Sequence, residues 1–448
     1  MTDTAVVWFR RDLRLSDNPA LHAAVAAADE VVGVFCLDGS LHEPAGAPRR
    51  AYLHRCLRAL DESMDGNLVV RHGEPSEVIP ELSEEVGATT VHIAEDFGPY
   101  GRLRDEGVAA ALRDIDVDLV TTGTPYAVPP GSVFTKSATP YKVFTPFSRQ
   151  WREHGWPDPI RTPPSITWRS VAGDGVPDDP DLGSTELPRA GEEAAGYRLD
   201  HFLRAKVEDY DGQRDLPGAD ATSRLSADLK WGVLHPRQIL SRLGRTTGAK
   251  TFETELCWRE FYADVLFHQP ESARESMNAE VGNMAWDRGS DADDRFDAWS
   301  RGRTGYPIVD AGMRQLLAEG WMHNRVRMIV ASFLVKDLHL DWQRGARWFM
   351  RHLVDGDLAS NQHGWQWTAG TGTDAAPYFR IFNPTSQARK HDPDGAYVRR
   401  FVDELAGIDG AAVHEPWNLD GGPPSGYPMP IVDHAVERAE ALRRYERR

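Results

Sequence analysis

The chain reads as α/β followed by all-α: an N-terminal Rossmann-like parallel α/β domain, a long linker and a C-terminal all-helical domain. Three observations predict this. Short apolar runs alternate with helical periodicity up to about residue 130, Pro, Gly and Asp crowd the stretch from about Pro157 to Glu193, and beyond Tyr197 the periodicity is helical throughout. The expected boundaries are 1–130, 131–196 and 197–448.

In the first domain, Ala5–Phe9, Val31–Leu37, Leu68–Arg71, Thr90–Ala94 and Leu119–Thr122 read as strands. Between them Pro19–Ala28, Arg49–Met64, Pro75–Val86 and Tyr100–Ile115 carry helical periodicity. Such a rhythm implies a parallel sheet with helices on both faces. The first strand runs into Arg10-Arg11-Asp12-Leu13-Arg14, without the Gly-x-Gly-x-x-Gly turn of a dinucleotide site, so the main site of any large cofactor is expected elsewhere. The linker has little periodicity. After it come Gly312–Leu317, Trp321–Leu338 and Arg344–Leu353, and ten of the fourteen tryptophans lie beyond residue 200.

Composition narrows the class. No run of about 18 apolar residues is present, so no membrane span is expected. Met1 to Leu15 lacks the layout of a secretory signal, and three cysteines (Cys36, Cys56, Cys257) make neither a disulfide framework nor a metal site, which fits a reducing cytoplasm. The net charge of −17 argues against a nucleic-acid partner only if cations are evenly spread. They are not: acids gather at Asp174–Glu193 and Asp291–Asp294, and all but seven of the 51 cations are arginine, the better bidentate phosphate ligand. Charge leaves the partner open.

Four segments carry chemistry. In Thr222-Ser223-Arg224-Leu225-Ser226, three hydroxyls and a cation precede a helical pattern, which suits a pyrophosphate cradle or an ordinary helix cap. In Glu255-Leu256-Cys257-Trp258-Arg259-Glu260-Phe261-Tyr262, helical spacing puts Glu255, Trp258, Arg259 and Tyr262 on one face, an aromatic plate beside a carboxylate that could stack and hydrogen-bond a base. In Asn324-Arg325-Val326-Arg327-Met328, a polar hook and a soft apolar contact lie one turn apart. The richest segment is Asp355-Gly356-Asp357-Leu358-Ala359-Ser360-Asn361-Gln362-His363-Gly364-Trp365-Gln366-Trp367, continuing to Asn383-Pro384; its acids, amide and tryptophans are costly to bury without function.

In this order and spacing the segments resemble the DNA photolyase and cryptochrome family, closest to class I cyclobutane pyrimidine dimer photolyases. The likeness spans nearly the whole chain, from Trp8-Phe9-Arg10-Arg11-Asp12-Leu13-Arg14 to Tyr427-Pro428-Met429-Pro430-Ile431-Val432-Asp433. It implies FAD, working as reduced FADH−, in the helical domain, and a deoxyribodipyrimidine photo-lyase, a carbon–carbon lyase. The implied activity is light-dependent repair by electron transfer from excited reduced FAD to a flipped-out dimer in single- or double-stranded UV-damaged DNA, by a monomer. The alternative is a cryptochrome-like blue-light photoreceptor; against it, the chain ends about fifteen residues after Asp433.

By the same resemblance, Tyr210 and Thr222, Ser223, Arg224, Leu225 and Ser226 hold the FAD phosphates. Arg259, Arg327, Asp355, Gly356 and Asp357 complete the cofactor site, with Asn361 facing flavin N5. Glu255 and Asn324 hydrogen-bond the lesion, Trp258 and Trp367 wall it, and Met328 adds an apolar contact. Arg214, Arg325 and Gln387 lie near the DNA backbone, and Trp365, Trp342 and Trp286 match an electron-hopping chain. Phe35, Cys36, Asp38, Asp96 and Lys230 resemble a pocket for a second chromophore, 8-hydroxy-5-deazaflavin in preference to methenyltetrahydrofolate. Two departures stand out: Gly98 replaces a common glutamate, and Gln362-His363 replaces a usual Asn-Gly.

Overall fold

The computed structural model describes residues 3–282, 284–374 and 380–446, so Ala375, Ala376, Pro377, Tyr378 and Phe379 of the richest segment lie outside the described residues. The chain forms two compact units. One comprises Met1–Leu182, Pro188–Glu208 and Ser223–Pro270; the other comprises Gly183–Leu187, Asp209–Thr222 and Glu271–Arg448.

In the first unit, strands β1 (Thr4–Phe9), β2 (Glu30–Leu37), β3 (Leu68–His72), β4 (Thr90–Ile93) and β5 (Asp118–Thr121) form a parallel sheet in the order β3-β2-β1-β4-β5. β1 is buried along its whole length, which is why it reads as an unbroken apolar run and not an alternating one. Val6 pairs with Val32 on one side and Val91 on the other. The strand order reverses at β1, so the carboxyl ends of β1 and β4 flank a topological switch point, where open α/β sheets bind ligands. Helix starts follow local rules: Asn18 caps Pro19–Ala27 by accepting the Leu21 amide at 3.1 Å, and Pro99 opens Pro99–Arg113.

The stretch 131–196, read as linker, is not structureless. Phe144–His154 is a helix whose Phe144, Phe147 and Trp151 share one buried face at i, i+3 and i+7. The surrounding Pro and Gly residues mask that short apolar stripe. Glu260, buried on the long helix Thr247–His268, explains why helical chain beyond residue 197 belongs to the first unit. Its carboxylate accepts the Ala127 and Val128 amides at 2.6 and 3.0 Å and the Trp151 indole at 2.7 Å, holding that helix against two earlier segments. Burial raises its pKa, and these donors work in the opposite direction.

The second unit is helical among its described residues. Its core packs Trp299, Met313, Val330, Phe333, Trp342, Phe349 and Trp365. Pro307–Glu319 ends at Gly320, whose φ of 59° is the left-handed cap that glycine accepts most readily. The sequence suggests one helix over Trp321–Leu338. Instead the α-helix begins at Asn324, because the buried His323 side chain caps it by accepting the Arg325 amide at 3.2 Å. It loosens into a π turn over Phe333–Asp337, which buries Lys336 with its ammonium on the Arg380 carbonyl at 2.9 Å. Trp342–His352 and Leu358–Ala369 follow, and His434–Glu446 closes the unit through His434–Asp337 and Glu437–His339 contacts at 2.5 and 2.7 Å. Among the described residues no helix is long and apolar enough to cross a membrane.

Candidate active site

In the second unit, Arg327 and Asp355 form an ion pair. Arg327 Nη2 donates to Asp355 Oδ2 at 2.7 Å, and Arg327 Nε is held by the Met322 carbonyl at 2.8 Å. Asp355 is buried, and its other oxygen, Oδ1, has no hydrogen-bond partner among the described residues. A buried carboxylate oxygen left in this way is costly unless a donor reaches it. Gly356 follows at once, and Asp357 caps Leu358–Ala369 by accepting the Ser360 amide at 3.0 Å. One turn into that helix, the buried Asn361 donates from Nδ2 to the Ala346 carbonyl at 3.1 Å and to Gln362 Oε1 at 2.9 Å. Tyr210 is buried, with the Arg214 guanidinium 5.7 Å from its ring centre.

The same helix carries Trp365, buried, its ring 5.0 Å from Phe349 and its indole nitrogen without a partner among the described residues. Trp365 lies against Gly345: a β-carbon there would come within 2.1 Å of the indole edge. Trp342, one turn before Gly345 on that helix, is fully buried and donates to Ser276 Oγ at 3.0 Å. Trp286 is half-buried, donates to the Gly282 carbonyl at 3.4 Å, and packs against Met284 and Tyr445. Its neighbour Asp287 is tied to the His339 carbonyl at 3.0 Å, three residues before Trp342. Two tryptophans are thus inside and the third reaches towards the surface.

The remaining residues of this unit sit as follows. Asn324 is exposed at the start of its helix, with Met328 one turn on and half-buried. Trp367 is half-buried, the Arg380 guanidinium 5.8 Å from its ring centre. Gln387 lies half-buried on Pro384–His391. Arg325, expected beside DNA phosphates, is engaged by Asp215 through Nε at 3.2 Å and Nη2 at 2.6 Å. Burial would raise the Asp215 pKa, but Arg325 and Arg214 outweigh it and lower it.

In the first unit, Glu255, Trp258 and Arg259 are borne on Thr247–His268. Trp258 stacks face to face on Phe144 at 3.6 Å and 6°, so its indole is backed by a second plane. Sequence reasoning missed Phe144, whose only signal was the i, i+3, i+7 stripe within the supposed linker. Arg259 donates to the Pro125 and Leu229 carbonyls, both at 3.2 Å, and lies 4.7 Å from the Tyr126 ring centre; these contacts fix its own helix. Along Ser223–Ser226, Arg224 has a φ of 52°, a backbone that a β-carbon disfavours, and Ser223 Oγ accepts the Leu225 amide at 3.4 Å. Thr222 belongs to the second unit.

A family model described as DNA photolyase matches residues 5–165, and one described as the FAD binding domain of DNA photolyase matches residues 252–447. The deoxyribodipyrimidine photo-lyase of Streptomyces griseus is 42% identical over 463 residues, spanning 99% of this chain and 98% of the relative. That of Agrobacterium fabrum is 40% identical over 472 residues, with the same two shares. The chain belongs to the DNA photolyase and cryptochrome family. Among solved structures, a bacterial class III photolyase from Agrobacterium tumefaciens superposes with a TM-score of 0.93 at 39% identity, covering 100% of this chain and 98% of that one. A Synechocystis cryptochrome gives 0.89 at 28% identity, with 99% of both chains covered. Likeness at this level shows the family without singling out class I.

As a photolyase-family enzyme of light-dependent DNA repair, the protein needs FAD, and its residues fit that group. Asp355 Oδ1 would offer a buried acceptor to a hydroxyl or imide N–H of the cofactor, with the carboxylate's charge met by Arg327. Asn361 presents a neutral amide one turn into the next helix.

The family's N-terminal domain carries a second polar cluster at the carboxyl ends of its strands. Asp38, just past β2, accepts the Tyr100 hydroxyl at 2.6 Å. Asp96, past β4, accepts Arg104 at 3.2 Å and the Gly98 amide at 3.0 Å. Its burial favours the neutral acid, yet Arg104, Arg11 and Arg10 overcome this and lower its pKa. Arg10 bridges Asp105 at 2.6 Å and the Ala94 carbonyl, and lies 4.8 Å from the Trp8 ring centre. Phe35 and Cys36 are buried on β2; burial, with Asp38 nearby, pushes the Cys36 thiol up to about 12. Lys230 stands on Ser226–Trp231, its carbonyl accepting Arg11 Nε at 3.4 Å. At Gly98, where a glutamate is usual, the backbone amide contacts Asp96.

Proposed function

We propose that the protein splits cyclobutane pyrimidine dimers in UV-damaged DNA under blue light. Bound reduced FAD would supply the excited-state electron that opens the cyclobutane ring and take it back afterwards, leaving no net redox change. The observation that carries this reading is the pairing of a buried, charge-compensated Asp355, one oxygen still open to a donor, with the neutral amide of Asn361 on the next helix. A neutral amide cannot readily deliver a proton, which suits an anionic reduced cofactor.

The chain's own work is binding, orientation and charge stabilisation. Arg327, Asp355, Gly356 and Asp357 hold the cofactor's polar middle, and Tyr210 with Thr222–Ser226 its phosphates. Trp258, stiffened by Phe144, and Trp367 offer stacking surfaces to extruded bases. Stacking contributes roughly 1–3 kcal/mol per base, and extrusion costs a few kcal/mol, less for a lesion that already stacks poorly. Glu255 and Asn324 hydrogen-bond the carbonyl and imide edges as charge develops there, and Met328 supplies the apolar contact. Arg214 and Gln387 meet the DNA backbone; Arg325, compensated by Asp215, acts by hydrogen bonding more than by net charge. Trp365, Trp342 and Trp286 form the path along which oxidised cofactor is reduced. The polar cluster beyond β2 and β4 holds an 8-hydroxy-5-deazaflavin antenna. The protein works as a cytoplasmic monomer.

The lesion follows from the helix Asn324–Ser332. Opening a (6-4) product calls for proton donors such as an imidazole pair. Here Asn324 and Met328 occupy that face, and the neighbouring His323 is buried as a helix cap. The test uses reduced protein and two oligonucleotides, one bearing a cyclobutane thymine dimer and one a (6-4) product, in blue light and in the dark. Thymine absorbance should return only for the first and only in light. An illuminated, flavin-replete protein that leaves the cyclobutane dimer untouched would overturn the reading.

A further inference from the structure

Gln362 is one of the two departures from the family's usual pattern, and the structure gives it work. Its Nε2 donates to the Ala273 carbonyl at 2.6 Å, and its Oε1 accepts from Asn361 Nδ2 at 2.9 Å. Asn361 Nδ2 also donates to the Ala346 carbonyl at 3.1 Å. Backbone carbonyls only accept. Ala273 therefore fixes which end of the Gln362 amide faces it, leaving Oε1 for Asn361. Together, Oε1 and the Ala346 carbonyl take both hydrogens of the Asn361 amide nitrogen. The amide of Asn361 is locked, and Oδ1 is the atom it has left to offer a ligand.

We infer that Gln362 is a positioning residue that sets the orientation of the Asn361 amide and thereby biases bound FAD towards its reduced form. The inference rests on the reading that Asn361 faces flavin N5. Reduced isoalloxazine carries a hydrogen on N5 that Oδ1 accepts, whereas oxidised isoalloxazine carries a lone pair there that Oδ1 opposes. An amide free to turn would present its N–H to that lone pair and favour the oxidised form. The lock works because it ends on Ala273, a main-chain carbonyl that cannot change roles, and not on another amide or hydroxyl that could reverse.

The experiment measures the midpoint potential of FAD in the holoprotein by spectroelectrochemistry, with FAD stoichiometry and thermal midpoint recorded alongside. Gln362→Leu keeps the bulk and removes one of the two acceptors that hold the Asn361 amide nitrogen, leaving the Ala346 carbonyl alone. The reduced-to-oxidised ratio at fixed potential should fall about tenfold, or about 30 mV for a two-electron couple. Gln362→Asn, which keeps the amide on a shorter arm, should recover part of that shift, and it carries the test should the leucine variant fail to fold. In Asn361→Leu the potential should fall also, and adding Gln362→Leu to it should produce no further change. A shift with Asn361→Leu but none with Gln362→Leu or Gln362→Asn overturns the role of Gln362 while leaving the site reading intact. No shift with any of them, FAD being retained, overturns the placement of Asn361 beside N5 and the inference with it.

Discussion

At the scale of single residues, the helix Leu358–Ala369 is informative on both its faces. One carries Asn361 and Trp365; the other sends Gln362, His363 and Gln366 onto an earlier segment. Gln366 Nε2 donates to the Ser272 carbonyl at 2.9 Å, and its Oε1 accepts the Met277 amide at 3.0 Å. His363 is buried, bonded through Nδ1 to the Ala359 carbonyl at 2.7 Å and through Nε2 to Ser272 Oγ at 3.1 Å. Burial lowers its pKa to about 4. The unfolded chain therefore takes up this proton first as pH falls, so the stability that neutral His363 confers is complete above about pH 6.5 and lost towards pH 4. His352, lowered to about 4 by burial and then by Arg351, adds in the same direction. His363→Gln should flatten, without abolishing, the fall in Tm between those pH values. A slope equal to that of the unsubstituted protein would show that His363 is not the group responsible.

At the scale of elements, legibility followed the range of the forces that form each one. The inner strands β1, β2 and β4 could be read because a parallel strand buried on both faces leaves a nearly continuous apolar run, and for all five strands the observed ends differ from the expected ones by about a residue. The helix Phe144–His154 was hidden because three apolar positions among prolines and glycines are too short a stripe. The break at His323 and the π turn at Phe333–Asp337 were equally hidden, since their causes are a side-chain cap and contacts of Lys336 and Asp337 with distant chain. The residues of the candidate site were legible as a motif, but not the Gln362 lock, whose acceptor lies 89 residues earlier. Trp365 packs against Gly345 of the helix that also carries Trp342, and the proposed electron path continues from there to Trp286. Trp365→Phe should therefore abolish photoreduction of oxidised FAD while leaving repair by pre-reduced protein unchanged, followed by flavin absorbance and dimer loss respectively. Equal loss of both would remove the hopping role.

At the scale of the whole molecule, composition was a poor guide. A net charge of −17 and an excess of arginine suggest opposite partners, and the structure explains why neither decides. Much of the arginine is occupied within the protein, as in Arg325–Asp215, Arg314–Glu404 and Arg444–Asp287. The proposed function asks work of few residues: a compensated carboxylate and an oriented amide in one unit, and a stacked aromatic pair in the other. The account's central claim is that an electron passes from the cofactor to the lesion. The excited-state lifetime of reduced FAD in the holoprotein tests this most directly, measured with an oligonucleotide carrying a cyclobutane thymine dimer and with the same undamaged oligonucleotide. The lifetime should shorten with the damaged strand alone. An identical lifetime with both strands, the damaged one being bound, would contradict the account.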